Sequence, residues 1–535
     1  MTGQRSVECV VIGSGPSGIA CAKALLERGA AVTIVDIGVQ LEDNIRLQVQ
    51  ALASQDPSIW TESQIDSLKA PLEFTGNSEV PLKTVFRSSY PYQLPVSTQI
   101  QQTDTRCVVS QSKGGLSTVW GGHVMRYAHS DIKHWPISLQ DLDAGYAAAA
   151  QIIKPTRPKE NDSLDDLFPS PYSYTHDHNL SRQGETLLRK AKQNVALLKK
   201  HGVVVGKSRL ALSGGCKEVG LCLSGCPFFA IFQADRWLEE ALQGESELQY
   251  LGGREVVKIH GNKLSGVMRE TGEPFELTAQ KFFLAAGPLG TARVVFESLD
   301  LQELELPLAY HPYALTPLLF LKNEVEAPRE RRHTLAQMFM EVWLPTVSQY
   351  PVHNAVSTYN AYIKEAVEAL VKRFGIQALR PWFSKFLMGR LGAVQSYLHS
   401  KEGGMMTIQF HKYLGGTLLK LAPPSSSTVH QKFSTYFRQT LWQFLRLGAL
   451  PLTFMSKIGK PGTGNHIGSC FPMAHQPGEF QTDGMGQLRQ LPTLHIVDAS
   501  VLPDLPAQTI TFTIMANAYR IGSKCALKLA PKTKT

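Results

Sequence analysis

The residues with most chemistry to offer fall in four places. Near the amino end, Gly13-Ser14-Gly15-Pro16-Ser17-Gly18 follows an apolar run from Val7 to Ile12, and Asp36 ends the next apolar stretch. Gly13 permits a tight turn, Gly15 lets backbone N–H groups approach a pyrophosphate, and Gly18 lets helix and strand pack closely. Asp36, placed about 20 residues on, suits a ribose hydroxyl. The second place is Val109 to Gly122, with Gly114, Gly115, Ser117, Val119, Trp120 and Gly121. So many glycines beside a tryptophan suggest backbone lying flat against a large planar group, a surface glycine loop being the plainer alternative. The third is Cys216, Cys222 and Cys226, spaced C-x5-C-x3-C with Pro227 directly after, as in many iron–sulfur ligand runs. The same thiols could pack simply as small apolar side chains. The fourth is Asn465-His466-Ile467-Gly468-Ser469-Cys470-Phe471-Pro472-Met473, followed by Asp498-Ala499 and by Thr511 to Ala518, more than 400 residues from the first motif.

The elements that must position these groups are legible in part. Val7 to Ile12 reads as a strand opening through the glycines into a helix over Ile19 to Leu26, and Ala31 to Val35 as the next strand. Arg254 to Ile259, which includes Val257, and Lys263 to Met268 read as two strands around a turn. Lys281 to Ala286 is a buried strand that breaks at Gly287 into a helix. Trp135-Pro136-Ile137-Ser138, with Asp141-Leu142, reads as a turn leading into a helix over Asp143 to Ile153. These pieces assemble a nucleotide-binding domain from separated segments.

A chain of 535 residues exceeds the usual single-domain range, so two domains are expected. With 43% hydrophobic and 19% charged residues the chain is well buried rather than disordered. No run approaches the ~18 apolar residues of a membrane span, and the start leads straight into the first strand without a secretory leader. A cytoplasmic protein, or one peripheral at the inner face of the cytoplasmic membrane, is expected. Eight cysteines are too few for a disulfide scaffold. A net charge of +9 is modest for this length and no nucleic-acid module is present, which argues against a nucleic-acid partner.

The motifs resemble the glucose-methanol-choline family of FAD-dependent oxidoreductases, over both ends and the middle of the chain. Gly114 to Gly122 and Trp135 to Ser138 are most similar to the bacterial sugar and polyol dehydrogenase branch. Phe471-Pro472-Met473 and Met515 to Ile521 are similar to members associated with bacterial surface-polysaccharide synthesis. The resemblance implies an α/β fold with a Rossmann-type FAD-binding domain built from residues 1–45, 85–145, 205–300 and 460–535. An α+β substrate-binding domain, antiparallel sheet plus helices, would take 46–84, 146–204 and 301–459.

It also implies roles. FAD would be bound noncovalently, since Val119 stands where some members carry an anchoring histidine; His123 is the alternative anchor. Oxidising an alcohol moves a hydride to flavin N5 while the hydroxyl proton leaves to a base, for which histidine is suited. His466 stands seven residues before Met473, the family's offset for that histidine. Alignment on Gly468 instead puts Asn465 in the slot. The second polar partner falls on Thr509, with Gln508 beside it, and a threonine cannot share a proton as imidazole does. The N-terminus of the final helix, just after Ile510, would direct its positive end at the flavin. Asp498 and Ala499 would lie near the ribityl and pyrophosphate portion, Asp498 being otherwise a turn or cap residue. Val257, Ala286 and Gly287 complete the cofactor set. Certain sugar dehydrogenases of the family hold a [3Fe-4S] cluster on a spacing like that of Cys216, Cys222 and Cys226, which would relay electrons to an external acceptor.

The expected function is thus an FAD-dependent dehydrogenase of a small-molecule or glycan alcohol, passing electrons to an acceptor other than NAD. Two other classes stay open: a flavoprotein without net alcohol oxidation, such as a sugar mutase or reductase, and a catalytically degenerate FAD-binding subunit of a polysaccharide-synthesis assembly. Arg380 to Leu391 and Phe433 to Phe454 interleave aromatic and basic residues, a pattern compatible with peripheral membrane contact, with an anionic substrate face, or with core packing.

Overall fold

The computed structural model describes residues 6–69, 82–95, 97–169, 176–360, 363, 387–414 and 416–526. The architecture is mixed α/β, built on three sheets. In the first, strand Ser6–Ile12 lies parallel between Val32–Val35 and the long strand Pro274–Leu284. Leu248–Leu251 extends the parallel side beyond Val32–Val35. Lys263–Met268 and Arg254–His260 continue the sheet antiparallel, and Leu494–Ile496 pairs parallel with Pro274–Leu284. Segments from both ends of the chain therefore share one sheet. The near-continuous burial of Val32–Val35 suits a sheet covered on both faces.

The second sheet is antiparallel: Ala449–Pro451, Tyr313–Phe320, Leu391–Tyr397, Val352–Ser357, Met338–Val342 and Val203–Lys207, in that order. Helix Val429–Leu447 covers one face of it, sending Phe433, Tyr436, Phe437 and Phe444 into the core. The aromatic run over Phe433 to Phe454 is thus mostly core, with Trp442 and Phe454 exposed. Its companion run falls outside the described residues from 380 to 386. Among the described residues no helix is long and apolar enough to cross a membrane.

The third sheet joins Ile467–Gly468, Glu303–Tyr310, Met406–Tyr413, Gly416–Ala422 and Thr98–Gln102, and its apolar face merges with the core of the first. Strands Glu303–Tyr310 and Met406–Tyr413 hence pack with the first sheet, although the expected domain division put them with the substrate domain. Val203–Lys207 is conversely an edge of the second sheet. Their apolar alternation is the same either way, and only the pairing partner distinguishes the two assignments.

Helix Leu139–Ile153 starts four residues earlier than expected, because Ser138 and Asp141 form a capping box that sets its first turn. Against it and against helix Pro16–Leu26 lies the C-terminal helix Thr511–Ala526. The approach is close enough to require glycine: a Cβ on Gly145 would stand 2.1 Å from the carbonyl oxygen of Ala516, and one on Gly522 would stand 2.9 Å from that of Cys21. Alanine in a helix interior normally stabilises by about 0.5–1 kcal/mol over glycine. Gly145→Ala should instead lower the thermal midpoint, since overpacking costs about 1–3 kcal/mol, as differential scanning calorimetry would show.

Candidate active site

The two glycine-rich segments meet. The Ser14 hydroxyl donates to the Asp36 carboxylate and accepts the backbone N–H of Gly114 at 2.9 Å. Gly115 packs on Gly15, where a Cβ would be 3.3 Å from the Gly15 Cα. Gly13, at φ +100°, has no room for a side chain because the Ala285 carbonyl oxygen would lie 2.5 Å from it. Burial pushes the Asp36 carboxyl up to about 6, against hydrogen bonds from Ser14 and the Ile37 backbone that favour its charge.

This cradle opens into a cavity of about 1400 Å³. Ordinary small-molecule pockets hold ~300–1,000 Å³, so there is room for a dinucleotide together with a substrate. Of the expected cofactor residues, Gly13, Gly15, Ser17, Asp36, Gly115, Ser117, Val119, Trp120, Gly121, Ala286, Gly287, Asp498, Ala499, Thr509 and Ile510 all line it.

Three expected residues lie elsewhere. Gly18 packs against the Gly13 carbonyl, the helix–strand contact that its motif position requires. Gly114, at φ +86°, presses on the backbone of Asp235. Val257 sits at a bulge in strand Arg254–His260, so that Val256 faces the cavity in its place. Asp498 caps the turn Ala499–Val501 through Ser500, accepts the Thr291 hydroxyl at 2.5 Å and lines the cavity.

The carboxyl-end motif is held by two neighbours. Ile467–Gly468 pairs with Tyr310 and Ala309. The backbone N–H groups of Ser469, Phe471 and Met473 donate to the carbonyls of Ala499, Ser500 and Val501. Gly468 is needed there because a Cβ would lie 2.5 Å from the Ala499 oxygen.

Asn465 and His466 both reach the cavity. His466 is the better supported of the two. Its Nδ1 lies 3.1 Å from Nδ1 of His311, and its ring stands beside Tyr397 at 5.6 Å. The side chain is partly exposed and lines the cavity. Burial lowers its pKa to about 4, with the charge of nearby His353 acting in the same direction. The ring is therefore neutral at pH 7.

The expected second partner is only partly available. Thr509 lines the cavity, but its hydroxyl donates to the carbonyl of His123 at 3.1 Å, leaving its oxygen as an acceptor. Gln508 points away from the cavity: its amide donates to Glu341, whose other carboxylate oxygen is 2.6 Å from Nδ1 of His353, with all three side chains fully buried.

Sequence reasoning missed the contribution of the second sheet. Tyr313, Gln395 and Tyr397 line the cavity next to His466, and His311 contacts it directly. Tyr313, Gln395 and Tyr397 come from strands without recognisable motifs and are brought together by register, Tyr313 pairing with Tyr397 and Gln395 with Leu315, while His311 lies in the short link between two strands.

The three clustered cysteines each accept a backbone N–H, from Glu218, Thr334 and Ala230. Burial raises all three pKa values. Among the described residues no group of three His, Cys, Asp or Glu could hold a metal ion, so the iron–sulfur expectation finds no support here.

Comparison with known proteins bears on the same regions. Residues 450–518 match the family model described as GMC oxidoreductase. The structure is similar to the crystal structure of pyridoxine 4-oxidase from Mesorbium loti, with a TM-score of 0.60 and 15% identity, over 97% of this chain and 99% of that chain. No curated protein matches the sequence. At that identity the solved structure speaks for the fold, and the segment holding Asn465, His466, Asp498 and Thr509 is the one matched by the family model. Residues 450–518 thus match a GMC oxidoreductase family model, within a mixed α/β fold like that of the solved oxidase.

Proposed function

We propose that the protein is an FAD-dependent oxidoreductase that oxidises the CH–OH group of an alcohol, with His466 as the base and electrons leaving to an acceptor other than NAD. The observation that carries this reading is a neutral, buried imidazole facing the cavity that both glycine-rich segments line. The donor set fits the cofactor: the Gly13–Gly15 cradle for a pyrophosphate, Asp36 for a ribose, and the start of helix Thr511–Ala526, with Thr511 and Ile514 on the wall, for charge on a reduced ring. Bound FAD supplies the acceptor for a hydride.

The chain's own part is the proton. His466 can receive it at Nε2 only if its Nδ1–H donates to Nδ1 of His311. His311 then carries its hydrogen on Nε2, and the nearby Pro506 backbone favours a proton on that ring. His311 so fixes the tautomer that leaves the cavity-facing nitrogen of His466 free. Thr509 offers an acceptor to the hydroxyl and helps orient it. A sugar is one alcohol that such a base could serve; a mutase or an inactive subunit would leave this arrangement without use.

His466→Ala should retain FAD, lower kcat/KM by ~10²–10⁴-fold and abolish anaerobic bleaching of the flavin by substrate. Wild-type activity that survives this change would overturn the assignment. A base lowered to about 4 is deprotonated above that pH, so kcat/KM should stay level from pH 8 down to about 5 and fall only near 4. An acid limb near ~6.5 would mean an ordinary exposed histidine. His311, His466 and His399 are all lowered by burial, so each takes up a proton on unfolding below ~6.5. Their stabilisation is present above that pH and is lost as pH falls toward 4. Thermal midpoints should therefore drop between pH 6.5 and 4, and a midpoint that rises would contradict the buried neutral state.

A further inference from the structure

The inward face of the second sheet changes character along its length. Strands Tyr313–Phe320 and Leu391–Tyr397 pair antiparallel, so every second cross-strand pair is one rung of the cavity wall. The first rung is Tyr313 with Tyr397, next to His466. The second is Leu315 with Gln395, whose amide donates to the Tyr313 hydroxyl at 3.1 Å. Lys457 pairs with Leu315 on the other side, bringing a cation to the wall at the same level. Beyond this belt the rungs are Pro317 with Ala393 and Leu319 with Leu391, all lining the cavity.

The residues that follow keep the same character. Leu452 donates its N–H to the Pro317 carbonyl, and Leu452, Phe454 and Met455 all line the cavity at that end. Phe454 is 84% exposed while also lining the wall, so the apolar end of the cavity reaches the surface. From Tyr313 to Leu319 is about 20 Å of extended strand, of which about 13 Å lies between Leu315 and Leu319.

A sugar carries hydroxyls on every face, and each would be desolvated against Pro317, Leu319, Leu391 and Ala393 with nothing on these strands to receive it. A chain of methylenes would be favoured at each rung. We propose that the substrate is an amphiphilic primary alcohol, its hydroxyl at the Tyr313–Tyr397 rung beside His466 and its long apolar chain running past Leu319 toward Phe454. This rests on the alcohol-oxidation reading above. The alcohol would leave as an aldehyde, its C–H hydrogen passing to FAD as a hydride with two electrons and its hydroxyl proton passing to His466.

The test uses the FAD-loaded full-length protein under argon and a series of straight-chain primary alcohols from butanol to tetradecanol, with glucose and sorbitol beside them. Two readouts are taken: perturbation of the flavin spectrum for binding, and bleaching for reduction. The long alcohols are offered both as monomers and within phosphatidylcholine vesicles, which separates a free alcohol from a membrane-borne one; bleaching in either arm supports the proposal. Binding should tighten about threefold to fourfold per added methylene and level off once the chain passes the apolar rungs. Leu319→Asp should flatten the series, so that binding no longer tightens as the chain lengthens past butanol.

Affinity that rises with chain length without bleaching would uphold the chamber and refute the oxidation reading. Bleaching by glucose or sorbitol, with no dependence on alkyl length, would overturn the amphiphile proposal and leave alcohol oxidation standing. Absence of any chain-length dependence in binding also overturns it.

Discussion

The site depends on the seating of the C-terminal helix. Thr511–Ala526 lies against Pro16–Leu26 and Leu139–Ile153 at a separation that Gly145 and Gly522 make possible. That contact brings the far end of the chain against the helix that follows the first glycine-rich turn. Its consequence reaches upstream, because Thr509 and Ile510 enter the cavity from the turn that starts this helix. Leu494–Ile496 joins the same sheet as Ser6–Ile12 through Pro274–Leu284, so the segment holding Asp498 is anchored from the other side as well. Close packing at backbone distance tolerates little displacement, which is why two glycines can fix a geometry assembled from residues hundreds of positions apart.

The second sheet contributes polarity rather than framework. One face of Tyr313–Phe320 holds Ala314, Leu318 and Phe320 against helix Val429–Leu447, and the other presents Tyr313, Leu315, Pro317 and Leu319 to the cavity. Strand alternation makes the two faces independent, so the cavity face could vary in character without disturbing the core. Behind it, Glu341, His353 and Gln508 form a fully buried chain that ties this sheet to the segment carrying Thr509. Breaking a buried pair of this kind is expected to be costly, which makes the join between sheet and segment firm.

The sequence made legible those features that need a particular backbone. Gly13, Gly15 and Gly18 announced the cradle because only glycine allows the turn and the close approaches there, and Asp36 followed from spacing. Lys281 to Gly287 was readable because an apolar strand breaks into a helix at a glycine. The loop with His466 was readable through its glycine and its relation to Met473. Side chains whose role is set by register were not readable. His311 and Tyr397 lie far apart in sequence, and nothing local marks them as neighbours of His466. Val257 was mistaken for Val256 because a bulge reverses which face a residue presents, and bulges leave little local trace. Gln508 looked like a partner for substrate, since a buried Glu341 on a distant strand could not be seen from its own neighbourhood.

In the proposed reaction one imidazole near the carboxyl end faces the reacting edge of a flavin held by the first forty residues. A crystal structure of the FAD-loaded protein with a bound alcohol tests it most directly. The tricyclic ring should lie between the Val119–Gly121 backbone and His466, with Nε2 of His466 within ~2.6–3.2 Å of the alcohol oxygen and Nδ1 turned to His311. A ring lying elsewhere, or His466 turned away with another side chain on that oxygen, would contradict it.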